Sequence, residues 1–103
     1  MNVFISLPMR GCTEEEILAA RKRVEDDVRA RFKGEEITII DSYVGDFGAT
    51  SSEINIGVYF LGRSILKLAE ADLAVFGEGW DKARGCRIEH DIAQAYDIDI
   101  LLL

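Results

Sequence analysis

Asp72–Gly77 reads DLAVFG, and this stretch decides the fold. Its interior is apolar at every position rather than at alternate ones, as in a strand of a parallel sheet covered on both faces. A turn-rich loop, Gly77–Arg84, follows and carries the single tryptophan, Trp80. A helix is predicted over Gly85–Tyr96 with Ile88, Ile92 and Ala95 inward, and Ile98–Leu103 then supplies a further strand. Upstream, Val58–Ala71 has helical spacing, with Leu61, Ile65 and Leu68 on one stripe. Ser42–Gly57 is rich in Gly, Ser and Asp and reads as a loop, long enough for a lid or a binding loop.

Two more strands precede it. Glu36–Asp41 (EITIID) is one, and Asn2–Ser6 (NVFIS) opens the chain. After Leu7-Pro8-Met9-Arg10-Gly11-Cys12, Thr13 is placed to cap a helix, and Glu16 three residues on completes a capping box. Three successive glutamates suit the first turn of that helix, where the backbone dipole favours negative charge. Ile17, Ala20, Val24, Val28 and Phe32 form its apolar stripe. Glu25/Arg29 and Asp27/Arg31 pair at i,i+4 on the wet side, and the helix ends near Gly34.

Strand–helix alternation implies parallel strands joined by right-handed crossovers. The expected fold is a single α/β domain over residues 1–103, of the three-layer flavodoxin or Rossmann-like kind, with a four-stranded parallel sheet in order 2-1-3-4. Open sheets of this type bind ligands beyond the carboxyl ends of their strands, where the strand order reverses. That rule singles out Leu7–Thr13 and Gly77–Gly85.

Composition narrows the function classes. With 103 residues, 49% hydrophobic and 30% charged, the chain is an ordinary globular domain. Its net charge of −7 disfavours nucleic-acid backbones and anionic membranes as partners. No run is long enough to span a bilayer and no signal-peptide pattern is present. Cys12 and Cys86 have neither zinc-ligand spacing nor the density of a disulfide scaffold, so reduced thiols and a cytoplasmic location are expected. No metal and no cofactor is expected. The chain lacks GxGxxG, a P-loop lysine and the acidic cluster that a phosphoacceptor domain needs after its first strand.

Two constellations remain. In Ser6–Thr13 the turn's N–H groups and the following helix dipole suit an anion, with Arg10 adding a charged fork; the alternative is a tight turn merely shaped by Pro8 and Gly11. In Gly79–His90, Gly79 and Gly85 permit tight turns and Trp80 offers a flat face for a base or sugar. Glu89 falls in the opening turns of the helix, where a carboxylate nucleophile would be kept ionised; alternatively it satisfies the dipole and pairs with an Arg. His90, the sole histidine, points about 100° away from Glu89 around the helix and reads as a packing or surface residue. Cys86 is placed for a depressed pKa, or for burial as a small apolar residue.

VFISLPMRG with TEEEI, and ADLAVFGEGWDKARGCRIEHDIAQAY, resemble the small nucleoside 2-deoxyribosyltransferase-like proteins, in particular the DUF4406-type branch of bacteria and phages. The similarity covers well over half of the chain, and its most specific part is the spacing Trp80, Arg84-Gly85, Glu89. The resemblance implies that Glu89 attacks the anomeric carbon of a nucleoside or nucleotide. It also implies that Met9, Arg10 and Gly11 hold the sugar or phosphate end. Ser6, Trp80, Arg84 and Gly85 are further candidate substrate contacts, and Asp41 is a candidate acid or sugar-orienting group. Relatives place an Asp in the helix before the third strand, where this sequence has Ser64, beside Arg63. Transferases of the family use a C-terminal tail lent by a neighbouring subunit, whereas this chain ends at Leu103, so hydrolysis is expected rather than transfer. The expected function is an N-glycosidic hydrolase, the alternative a non-catalytic nucleotide-binding module. A homodimer or higher homo-oligomer is expected, because a small core with an apolar last strand gains from further burial.

Overall fold

A computed structural model describes residues 1–40 and 54–103. Along the chain run β1 (Asn2–Ser6), α1 (Glu14–Arg31), β2 (Thr38–Ile39), α2 (Ile56–Leu68), β3 (Leu73–Phe76), α3 (Arg84–Ala95) and β4 (Asp99–Leu102). The four strands form one parallel sheet in the order β2-β1-β3-β4, as the alternating pattern predicts.

The sheet separates two apolar clusters. Val3, Ile5, Leu73 and Val75 point to one side and meet Val24 and Val28 of α1. Phe4, Ala74 and Phe76 point to the other and meet Leu68 of α2 and Ala93 of α3. Every residue of β3 is buried, which explains why its sequence does not alternate.

α1 forms for the reasons its sequence gives. The Thr13 hydroxyl accepts from the Glu16 N–H, and the Glu16 carboxylate accepts from the Thr13 N–H at 3.0 Å. Arg29–Glu25 and Arg31–Asp27 pair along its outer side at 3.1 and 2.7 Å. Of the apolar stripe, Val24 and Val28 are buried, while Ile17, Ala20 and Phe32 are half-buried at its ends.

Several boundaries differ from expectation. β2 is two residues long rather than six, although Thr38 N–H to Met1 O (2.9 Å) and Ile40 N–H to Val3 O (2.8 Å) carry its pairing slightly further. α2 begins at Ile56, inside the predicted loop, because the Asn55 side chain caps it by accepting from Val58 N–H at 3.1 Å. α3 begins one residue early and ends one early. Its inward face is also rotated: Cys86, Glu89 and Ala93 are buried, Ile88 and Ile92 only partly, and Ala95 is exposed. A glutamate therefore takes a core-facing position, and its partners explain how. No helix of the described residues is long and apolar enough to cross a membrane.

Candidate functional site

The carboxyl ends of β1 and β3 lie side by side, with Ser6 in register with Phe76. Beyond them the two predicted loops converge. Gly77 N–H donates to Ser6 O at 3.0 Å. A Cβ on Gly77 would stand 2.0 Å from Leu7 Cδ2, so any other residue here would require the Leu7 side chain to move. Gly79 turns the chain with φ +87, against the Pro8 ring, into a short 3-10 helix at Trp80–Lys82. Gly11 similarly takes φ +81 in the turn before α1.

Glu89, in the second turn of α3, points at this junction and is only 6% exposed. The Ser6 hydroxyl donates to its Oε1 at 2.7 Å, and the Ser64 hydroxyl of α2 bonds its Oε2. The carboxyl is thus held from a strand and from a second helix, one hydroxyl on each oxygen. Burial pushes its pKa above the usual glutamate value, and the Ser64 and Ser6 hydroxyls oppose that rise. The alternative in which Glu89 pairs with an Arg is not what the structure shows: among the described residues no ion pair includes Glu89.

A cavity of about 40 Å³ reaches the Glu89 carboxyl. Ser6, Met9, Arg21 and Ser64 are among its walls. Arg21, from the second turn of α1, also donates to Ile5 O at 3.4 Å. A wider hollow of about 610 Å³ opens between α1 and the ends of the strands, bounded by Arg23, Asp27, Glu78 and Leu103, and Leu7 borders both spaces.

The sequence-predicted residues do not all come together. Glu89, Ser6 and Met9 come together at the cavity. Arg10 and Gly11 are exposed in the adjoining turn, while Arg84 and Gly85 are exposed in the first turn of α3. Gly85 lies within the helix and is not a turn residue, and an Arg84 guanidinium nitrogen lies toward Gly57 at the start of α2. Asp41 lies outside the described residues.

Trp80 packs on the second cluster, its ring centroid 5.6 Å from that of Phe76. Its indole stacks on the His90 imidazole at 4.4 Å with an interplanar angle of 22°. His90 thus points away from Glu89, as helical geometry requires, and covers one face of the tryptophan. Cys86 is buried, and burial pushes its thiol up, while the Ser6 hydroxyl acts in the opposite sense. Of the two alternatives the sequence offers, burial as a small apolar residue is the one met, and the shift is upward rather than downward.

Two residues of the site escaped the functional reading of the sequence. Ser64 stands where the family resemblance noted in the sequence implies an Asp, and that was its only signal. Arg21 is a charge at i+4 from Ile17, at the edge of the α1 stripe. Among the described residues no cluster of His, Cys, Asp or Glu is arranged to hold a metal ion. Comparison with known proteins leaves the geometry to speak for itself: no family model, no curated protein and no solved structure matches this chain.

Proposed function

We propose that this chain cleaves the N-glycosidic bond of a nucleoside or nucleotide, with Glu89 as nucleophile. The observation that carries this reading is a buried carboxyl, hydrogen-bonded through both oxygens, facing a cavity where the sheet order reverses. Such a group is aimed in advance and little hydrated, which suits attack on an electrophilic carbon.

In the first step a Glu89 oxygen bonds to the anomeric carbon while the carbon–nitrogen bond breaks, its electron pair leaving on the base. The base takes up a proton, a role that falls to Asp41 or solvent. Water then attacks the same carbon and gives up a proton to Asp41 or solvent, replacing the one delivered to the base; the bond to Glu89 breaks, and the free sugar departs as the carboxylate is restored. The transition states resemble an oxocarbenium ion, stabilised by the adjacent negative charge.

The cavity is of the scale of one or two waters, at about 30 Å³ each. The sugar would therefore meet Glu89 by its anomeric edge, with the rest of the ligand lying outside. Arg10 and Gly11 are assigned its sugar or phosphate end, Met9 the wall, and Trp80 the base. Arg84 and Gly85 form the rim beside α3. Exposed Val58, Leu66 and Leu102 support self-association, and the free thiols a cytoplasmic setting.

A non-catalytic nucleotide-binding module is the second reading, favoured by a hydroxyl at Ser64 where an acid was expected. Incubation with a panel of nucleosides and nucleotides, followed by chromatography for free base, separates the two. Free base released by the wild type but not by Glu89→Gln supports the enzyme. Binding without release across the panel would leave the binding module.

A further inference from the structure

Ser6 ends a strand and Ser64 lies in the third turn of α2, yet both hydroxyls converge on one carboxyl. We propose that Ser6 and Ser64 form a two-hydroxyl cradle that keeps Glu89 aimed and hydrogen-bonded whether it is charged or neutral. The proposal deepens the reading of Glu89 as the reacting carboxyl and rests on it for its catalytic meaning, though not for its physical content.

The reason lies in what a hydroxyl can do. Ser is both donor and acceptor, and its hydrogen rotates to suit its neighbour. When Glu89 is ionised, both serines donate to it, one to each oxygen. When Glu89 is protonated, its own O–H donates to one serine oxygen while the other serine continues to donate. Neither state leaves the buried carboxyl without a partner, which would otherwise cost the full desolvation of that group. A Lys or Arg in either place would favour the charged state alone, and an Asp would add a like charge.

The other titratable groups near the site do not supply this adaptability. Cys86, on the same helix, is a thiol pushed up by burial, and Arg21 of α1 lines the cavity with a fixed positive charge. A carboxyl that attacks as an anion, becomes a neutral ester and returns to an anion needs partners that tolerate each form. Two serines do so without moving the backbone. Ser6 and Ser64 are positioning residues in this scheme, acting through Glu89.

The test reads Glu89 itself. Protein carrying ¹³C at the glutamate side-chain carboxyls is titrated by NMR, the Glu89 signal being identified by its loss in Glu89→Gln. Removing one donor from the anion raises the Glu89 midpoint by about one pH unit in Ser64→Ala and in Ser6→Ala. Ser64→Thr, which keeps the hydroxyl, returns the midpoint toward the wild-type value. The acidic limb of any pH–rate profile shifts with it. Thermal melts establish that each variant titrated is folded. Should an alanine variant fail to fold, Ser64→Cys, a much weaker donor, carries the same comparison. Midpoints unchanged in the alanine variants, or a Ser64→Thr midpoint shifted as far as that of Ser64→Ala, would overturn the cradle. Shifted midpoints with no free base released by any version would uphold the cradle and remove the glycosidase reading.

Discussion

The two faces of the sheet are built to different rules. On the α1 face the contacts are apolar, the helix is closed by a capping box, and its ion pairs lie on the outer surface. On the α2/α3 face the packing includes a buried carboxyl, two hydroxyls, a thiol and a tryptophan stacked on a histidine. Only the second face spends stability on groups that would rather be in water. Polar groups buried at such a cost mark the face that carries function; the plain face is chiefly the scaffold that holds it in place, lending Ile17 and Arg21 of α1 to the cavity wall.

Breaking that contrast at its strongest point gives the largest effect. Glu89→Gln preserves shape and hydrogen bonding, since the amide both accepts and donates to the serines, but it removes the attacking charge. Release of free base should fall by several orders of magnitude, as when a nucleophile is removed from other covalent enzymes. Trapping of a glycosyl adduct on Glu89 by mass spectrometry would support the assignment. Undiminished release by a folded Glu89→Gln protein would end it.

The opposite face should respond in the opposite way. Val28→Ala empties space at a fully buried position of α1, remote from the cavity. It should cost about 2–3 kcal/mol in chemical denaturation, from lost burial plus the void left behind. Activity per folded molecule should not change. A large loss of turnover in Val28→Ala at temperatures where it is folded would show that the two faces are not separable.

Smaller still is a difference visible only against pH. The Glu89 pKa is raised in the folded state, mainly by burial. The stability it contributes is therefore fully present below the unfolded glutamate pKa and is lost as pH rises through the raised folded value. Glu89→Gln escapes that loss. The variant should melt above the wild type at neutral pH, with the gap closing in acid. A gap that widens in acid would reverse the sign and contradict the burial account.

The least effect belongs to the cap. Thr13→Ala removes the hydroxyl that accepts from Glu16 N–H and should cost about 1 kcal/mol by denaturant midpoint, with no change in ligand binding. A loss of binding there would extend the functional region into the start of α1.

The sequence by itself determined the sheet order, the capping box, the α1 stripe and the buried character of β3. These follow from patterns within one segment: spacing of 3.6 or 2, a cap three residues from its partner, an uninterrupted apolar run. It also singled out Glu89, Trp80 and the turn after β1 as unusual. Tertiary structure alone decided what Glu89 touches. Ser6 and Ser64 lie 83 and 25 residues from it in the chain, and no local periodicity reports a hydroxyl aimed across a sheet edge. The same holds for the rotated face of α3, where a glutamate displaces Ile88 and Ile92 from the deepest position. Helical spacing places it beside the inward stripe rather than on it, but two distant serines satisfy it and allow it inside. His90 turned toward Trp80 for the same reason, because a ring's partner depends on which loop folds over it.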